Sequence, residues 1–393
     1  MKQIKKIGTL LTLILVLLSC TEKEPQGYSV TGEIKGAEDS MVLLYYYDYV
    51  EKEPKVIDST EMKAGKFSFK GHIDQPVYVD LKLAETAAIG FFLENSPIHI
   101  KADLNQERGP YEPVKGEITG SKSEDLLASL TEKLDAIFNE PKYNAFTSLV
   151  KDYEEAAEKE DDSLAKQIYD QINELNHLSQ EIDDRKLNTT LDFVKTNASS
   201  VVAPYALQGY FTEYAMDFDQ MTETIGLFSG AAKNTGVYKA FEDEYTIIKR
   251  MRPGNKAPNF TLKSPEGKDI SLGDIKDKYV LLDFWAFWCG PCRASYPHLK
   301  EVYSKYKDAG FEVLAISTDV NEKKWKKAID EDQTDWIHVV DTRADENSTT
   351  DVANIYAVPY LPTTYLLDKE GNILAKNLSE EELDDKLKEI FEF

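Results

Sequence analysis

The stretch YVLLDFWAFWCGPCRASYP, Tyr279 to Pro297, decides how the C-terminal third of the chain is read. Its first half, YVLLDFWAF, is an apolar run holding a single acid, Asp283. A run of that length reads as a strand buried on both faces. The second half places Cys289 and Cys292 where the strand gives way to a helix. Free backbone N–H groups and the helix dipole favour a thiolate at that point, so Cys289 reads as the nucleophile. Cys292, one turn later, reads as the shielded resolving thiol that collapses a mixed disulfide. An acid inside an apolar strand is costly to ionise, which makes Asp283 a candidate to exchange a proton with Cys292.

Two other uses of the pair fit poorly. A zinc site needs four ligands, and the only nearby histidine, His298, lies six positions past Cys292 on another helical face. A structural disulfide across two residues closes almost no loop and stabilises little. Around the pair, APNFTL and GKDISL suggest a short hairpin, and FEVLAIST a second buried strand. NEKKWKKAIDED then suggests a helix, WIHVVD a strand and STTDVANIYA a helix. TTYLLD with NILAKN suggests a closing hairpin, and SEEELDDKLKEIF a last helix. Alternating strands and helices imply a central sheet with helices on both faces.

LLDFWAFWCGPCRASYP resembles the active-site segment of the thioredoxin superfamily, which implies a thioredoxin-like α/β fold over residues 253–393. By that resemblance Asp283 is the buried acid beneath the disulfide and Pro297 the proline that kinks the active-site helix. VPYLPTTYLLD resembles the superfamily's cis-proline loop, with Pro362 as the cis residue and Pro359 as the competitor. The backbone of Leu361 would then pair with a substrate chain, as in strand addition. Trp288, Gly290, Pro291, Leu361 and Pro362 become the implied substrate-binding residues. The hairpin before the strand and the long segment Asp319 to Ala357 resemble the membrane-tethered ResA-like and TlpA-like oxidoreductases. Many of those carry a glutamate three residues after the second cysteine, where this chain has Ser295. Asp283 would have to tune the pair alone.

The 393 residues are long enough for several domains, and 42% hydrophobic residues is ordinary for a globular chain. A formal charge of −24 argues against nucleic acid as a partner, because phosphate binding needs clustered Lys and Arg. Lys2, Lys5 and Lys6 followed by the apolar Ile7 to Leu18 form a targeting segment, too short to span a bilayer. Leu17-Leu18-Ser19-Cys20 resembles a lipobox, which implies a lipoprotein signal peptide over residues 1–19 and lipid attachment at Cys20. A tether over residues 20–27 follows. Residues 28–120 alternate short β-prone runs with turn signals and predict an antiparallel β domain. Residues 121–252 turn to helical periodicity, as in Leu126, Leu130, Leu134 and Ile137 and again from Leu164 to Ile182. The chain is thus expected to be multidomain, and its first two segments resemble the β-rich region of unassigned function and the helical linker of many Bacteroidetes lipoproteins.

The expected function is a thiol-disulfide oxidoreductase of the bacterial cell envelope that reduces disulfides of exported proteins. Its redox group is the Cys289–Cys292 disulfide, with no other cofactor and no metal. Gly290-Pro291 is the thioredoxin dipeptide, associated with potentials near about −270 mV, whereas strong oxidants near about −120 mV carry others. Expected partners are disulfide-bearing clients, a membrane-embedded electron donor and, through the lipid anchor, the periplasmic side of the outer membrane. A peroxiredoxin-type peroxidase is an alternative, but its motif asks for proline and threonine where Leu282 and Ala286 stand. A binding or scaffolding lipoprotein with an accessory thioredoxin domain is the other.

Overall fold

The computed structural model describes residues 27–84, 87–106, 114–159, 161–212, 215–342 and 351–391. The signal peptide expected over 1–19 and the lipid site at Cys20 lie outside the described residues, as does all but the last residue of the tether. Described residues up to Asp48, with Glu53–Ser129, form one compact unit; Tyr49–Lys52 and the chain from Leu130 onward form another.

The first unit holds β1 (Tyr28–Lys35), β2 (Ser40–Asp48), β3 (Glu53–Met62), β4 (Lys66–Gly71), β5 (Val77–Ala84), β6 (Ala87–Leu93), β7 (Pro97–Asp103) and β8 (Gly116–Thr119). They make two four-stranded sheets, ordered β4-β1-β7-β8 and β3-β2-β5-β6. Alternate residues of both, such as Val30, Phe69 and Ile100 with Val42, Leu81 and Phe91, share one core. One pairing corrects the antiparallel expectation: β1 and β7 run parallel. A parallel pair needs a long crossover, and the excursion from β2 to β6 supplies it. β3 and β8 had no signal in the sequence. β3 lies at a sheet edge and, in EPKVIDSTEM, exposes residues on both faces, so it carries no apolar alternation.

The helices that follow are α1 (Lys122–Phe138), α2 (Asn144–Glu158), α3 (Asp162–Glu174), α4 (Asn176–Thr196), α5 (Val202–Leu207), α6 (Phe218–Leu227) and α7 (Gly236–Arg250). Ser121 caps α1, its Oγ accepting from the Glu124 N–H at 3.1 Å. The second apolar stripe is broken at Leu175 between α3 and α4. Ile172, Leu175, Leu178 and Ile182 pack on Ile137, Tyr143 and Phe146 of the same chain, so the stripe is used internally.

The remainder is β9 (Thr261–Lys263), β10 (Asp269–Ser271), β11 (Tyr279–Trp285), α8 (Gly290–Tyr306), β12 (Phe311–Ser317), α9 (Glu322–Asp332), β13 (Ile337–Val340), α10 (Asp351–Ile355), β14 (Thr363–Leu367), β15 (Ile373–Lys376) and α11 (Glu380–Phe391). The sheet runs β10-β9-β13-β12-β11-β14-β15, with β11, β12 and β13 parallel to one another. On one face Leu281, Trp285 and Ala315 pack under α8, α9 and α11. On the other, Leu282, Phe284 and Ile316 pack with Val352 and Tyr356, joined by Met251 just past α7. Burial on both faces is why β11 and β12 read as nearly continuous apolar runs, interrupted only by Asp283 and Glu312.

Candidate active site

The strand-to-helix junction puts Cys289 at the N-cap of α8, where its Sγ accepts from the Cys292 N–H at 3.2 Å. Gly290 and Pro291 fill the first turn, and Pro needs no N–H partner there. Cys289 and Cys292 form a disulfide, with Cα atoms 5.4 Å apart. Cys292 is only 1% exposed and Cys289 4%, whereas Trp288 is 56% exposed. Trp288, Gly290 and Pro291 form an exposed lip beside the buried sulfurs.

The Leu361–Pro362 peptide bond is cis, which settles the choice between Pro362 and Pro359. Leu361 packs against the cluster that contains both cysteines. Pro297 lies inside α8.

Asp283 alternates onto the α8 face of β11, the face of Leu281 and Trp285. Burial pushes its carboxyl up to about 7, with the Tyr296 hydroxyl beside it. Among the described residues that hydroxyl has no partner in full hydrogen-bond geometry, and neither has Asp283 Oδ2. Cys292 and Tyr296 are one helical turn apart and both buried, so α8 presents them together to β11. A carboxyl that titrates near neutrality is matched to proton exchange with a thiol at physiological pH.

Ser295 does not substitute for an acid. Its hydroxyl donates to the Cys292 carbonyl at 2.8 Å and is spent on the helix backbone. In Ser295→Glu the added carboxylate disfavours thiolate near Cys292, so titration should show raised cysteine pKa values. The reduction potential should fall by roughly 10–30 mV, a cost of up to about 1.4 kcal/mol. Unchanged values would remove this position from the tuning of the pair.

Two groups that hold the site in place were missed in the sequence. Asp319 follows β12 and accepts from the Phe287 N–H at 2.9 Å and from Ser317 Oγ at 2.8 Å, fixing the turn before Cys289. Its signal was an acid directly after a buried strand, in AISTD. Arg293, next to Cys292, donates from Nε and Nη2 to the two carboxylate oxygens of Asp332, each at 2.8 Å, and to Glu331 at 3.1 Å. That fork ties α8 to the end of α9, a pairing 39 residues apart that no local pattern reveals.

Residues 253–376 match the AhpC/TSA family model, and residues 28–127 match a domain of unknown function (DUF4369). The thiol-disulfide oxidoreductase ResA of Bacillus cereus (strain ZK / E33L) is 35% identical over 144 residues, 37% of this chain and 80% of that protein. ResA of Bacillus anthracis is 33% identical over 167 residues, 42% of this chain and 91% of that protein. The chain belongs to the ResA family of thiol-disulfide oxidoreductases. Among solved structures, the thioredoxin domain of a thiol-disulfide oxidoreductase from Bacteroides vulgatus aligns at 38% identity and a TM-score of 0.33, covering 36% of this chain and 98% of that one. In this ResA-family chain, Cys289, Cys292 and Leu361 share one packed cluster, Asp283 lies on the same face of β11 as that cluster, and Trp288, Gly290 and Pro291 are exposed beside the cysteines. No group of three or more His, Cys, Asp or Glu among the described residues could hold a metal ion. No described helix is long and apolar enough to cross a membrane.

Proposed function

We propose that this oxidoreductase reduces disulfides of exported proteins from a lipid anchor at Cys20 in the cell envelope, on the periplasmic side of the outer membrane. The observation that carries the direction is Gly290-Pro291 between the two cysteines at the N-terminus of α8, above an acid that titrates at about 7. A client strand pairs with the backbone at Leu361, which places its disulfide against Cys289. Cys289 attacks, Cys292 gives its proton to Asp283 and displaces the client thiol, and a membrane-embedded donor re-reduces the pair.

A peroxidase reading is disfavoured by Leu282 and Ala286. Leu282 is not the motif's proline, and Ala286, fully buried where the motif has threonine, offers no hydroxyl to a peroxide. A scaffolding role leaves the assembled redox residues without a purpose.

Equilibration of the full-length protein with a thiol–disulfide buffer tests the direction. The expected potential is below about −230 mV, in the reducing part of the superfamily range, and a value above about −150 mV would overturn the reductase reading. Cys20→Ser should move the protein from the membrane fraction to the soluble one; unchanged partition would remove the lipid anchor.

A further inference from the structure

Strand register aligns Asp283 of β11 with Ala315 of β12, and Ala315 with His338 of β13. Residues aligned across parallel strands share a face, so Asp283 and His338 look into the same compartment under α8, with the Ala315 methyl between them. At about 4.8 Å per strand their Cα atoms lie roughly 10 Å apart. Both side chains are buried, His338 at 5% exposure.

The compartment is lined by Tyr296, Trp285 and Trp336. Ring centroids lie 5.6 Å apart for Trp285–Tyr296, 5.9 Å for Trp285–His338 and 5.4 Å for Tyr296–Trp336. Asp283 Oδ2, Tyr296 Oη, Trp336 Nε1 and His338 Nδ1 are all buried without a hydrogen-bond partner among the described residues. Buried polar atoms are nearly always satisfied, and a group of them in one compartment is where an internal water binds. The other imidazole nitrogen, Nε2, is 2.7 Å from Thr334 Oγ1, a half-buried residue at the edge of the compartment.

We propose that Tyr296 and His338, joined by buried water, form the route by which the proton taken up by Asp283 reaches solvent. The proposal rests on Asp283 serving as the proton carrier for Cys292. The carboxyl gives its proton to the water held by Tyr296, that water gives one to His338 Nδ1, Nε2 gives one to Thr334 Oγ1, and the Thr334 hydroxyl passes its own to solvent. The imidazole is neutral before and after, its proton moved from Nε2 to Nδ1, and no electron moves. The charged groups near the route are Asp332 and Arg293 beside Tyr296, and Asp332 and Glu266 beside His338. Tyr296 and His338 are therefore positioning residues that act through Asp283.

The test follows protons and needs no turnover. In the oxidised full-length protein a jump from about pH 6 to about pH 8 ionises Asp283, read from the infrared carboxyl band that Asp283→Asn removes. Tyr296→Phe and His338→Gly should each slow the decay of that band about a hundredfold or more, the lower end of what a positioned proton-transfer group contributes. Added imidazole should restore the rate in His338→Gly. Wild-type rates in both variants would overturn the route, and slowing in His338→Gly that imidazole does not rescue would reduce His338 to a packing residue. Tyr296→Phe removes one oxygen and keeps the ring, which guards against loss of the fold. A protein that reduces no disulfide still answers this test, so failure of the route and failure of the reductase reading are distinguishable.

Discussion

Cys292→Ala should attack a disulfide once and stop. The mixed disulfide formed through Cys289 then has no thiol to displace it, because Cys292 is the sulfur within bonding reach. Cys289→Ala should form no adduct, since the remaining thiol is 1% exposed beneath the first turn of α8. Each variant should lose at least about a thousandfold in kcat/KM for reduction of a protein disulfide, the order expected when a covalent nucleophile is removed. Non-reducing gels and intact mass follow the adduct. Accumulation with Cys289→Ala and not with Cys292→Ala would reverse the assigned roles. Adducts of Cys292→Ala isolated from the cell envelope name the clients, and an envelope that yields none counts against the client-reductase proposal.

Asp283→Asn should stabilise the oxidised protein above neutral pH. The carboxyl moves from its usual range near 4 to about 7 through burial. The folded state therefore binds a proton that the unfolded state has released, and stability falls as pH rises through that window. Three pH units correspond to about 4 kcal/mol, of which a buried amide recovers a part, so a gain of a few kcal/mol is expected at about pH 8. His338 works in the opposite sense: burial lowers it to about 4, so its contribution is lost as pH falls from about 6.5 toward 4. In the wild type these two slopes largely cancel each other between about pH 4 and 6.5. Asp283→Asn removes one of them, and its stability should drop by more than about 1 kcal/mol for each unit of acidification in that range. Denaturant unfolding at several pH values checks both statements, and equal stabilities of variant and wild type at pH 8 would mean that Asp283 is not held at a raised pKa.

Much of the redox site was legible because its parts are local or carry strong backbone signatures. The buried strand, the cysteine spacing and the helix start lie within 19 consecutive residues, Tyr279 to Pro297. Pro362 was findable because P-T-T before an apolar run resembles the superfamily's cis-proline loop, with Pro359 left as the competitor. Asp319, Arg293 and His338 were not, since their partners are set by the sheet order and by the placement of α9. Nothing in WIHVVD distinguishes a histidine that shares a face with an acid two strands away from one that merely fills space. The parallel pairing of β1 with β7 was hidden for the same reason: strand order is a property of the fold, and short alternating runs default to hairpins. β3 was missed because a polar edge strand lacks the alternation that marks a half-buried one.

The fork from Arg293 to Asp332 bears on how such proteins can be recombined. It makes the last turn of α9 part of the framework of the cysteine helix, although that turn comes 40 residues after Cys292 in the chain. The redox motif is consequently not an interchangeable cassette. A chimera that transplants FWAFWCGPCRASYP into a relative without a matching acid at the end of this helix would leave a guanidinium unpaired beside the disulfide. Reciprocal exchange of the motif together with α9 keeps the unit whole.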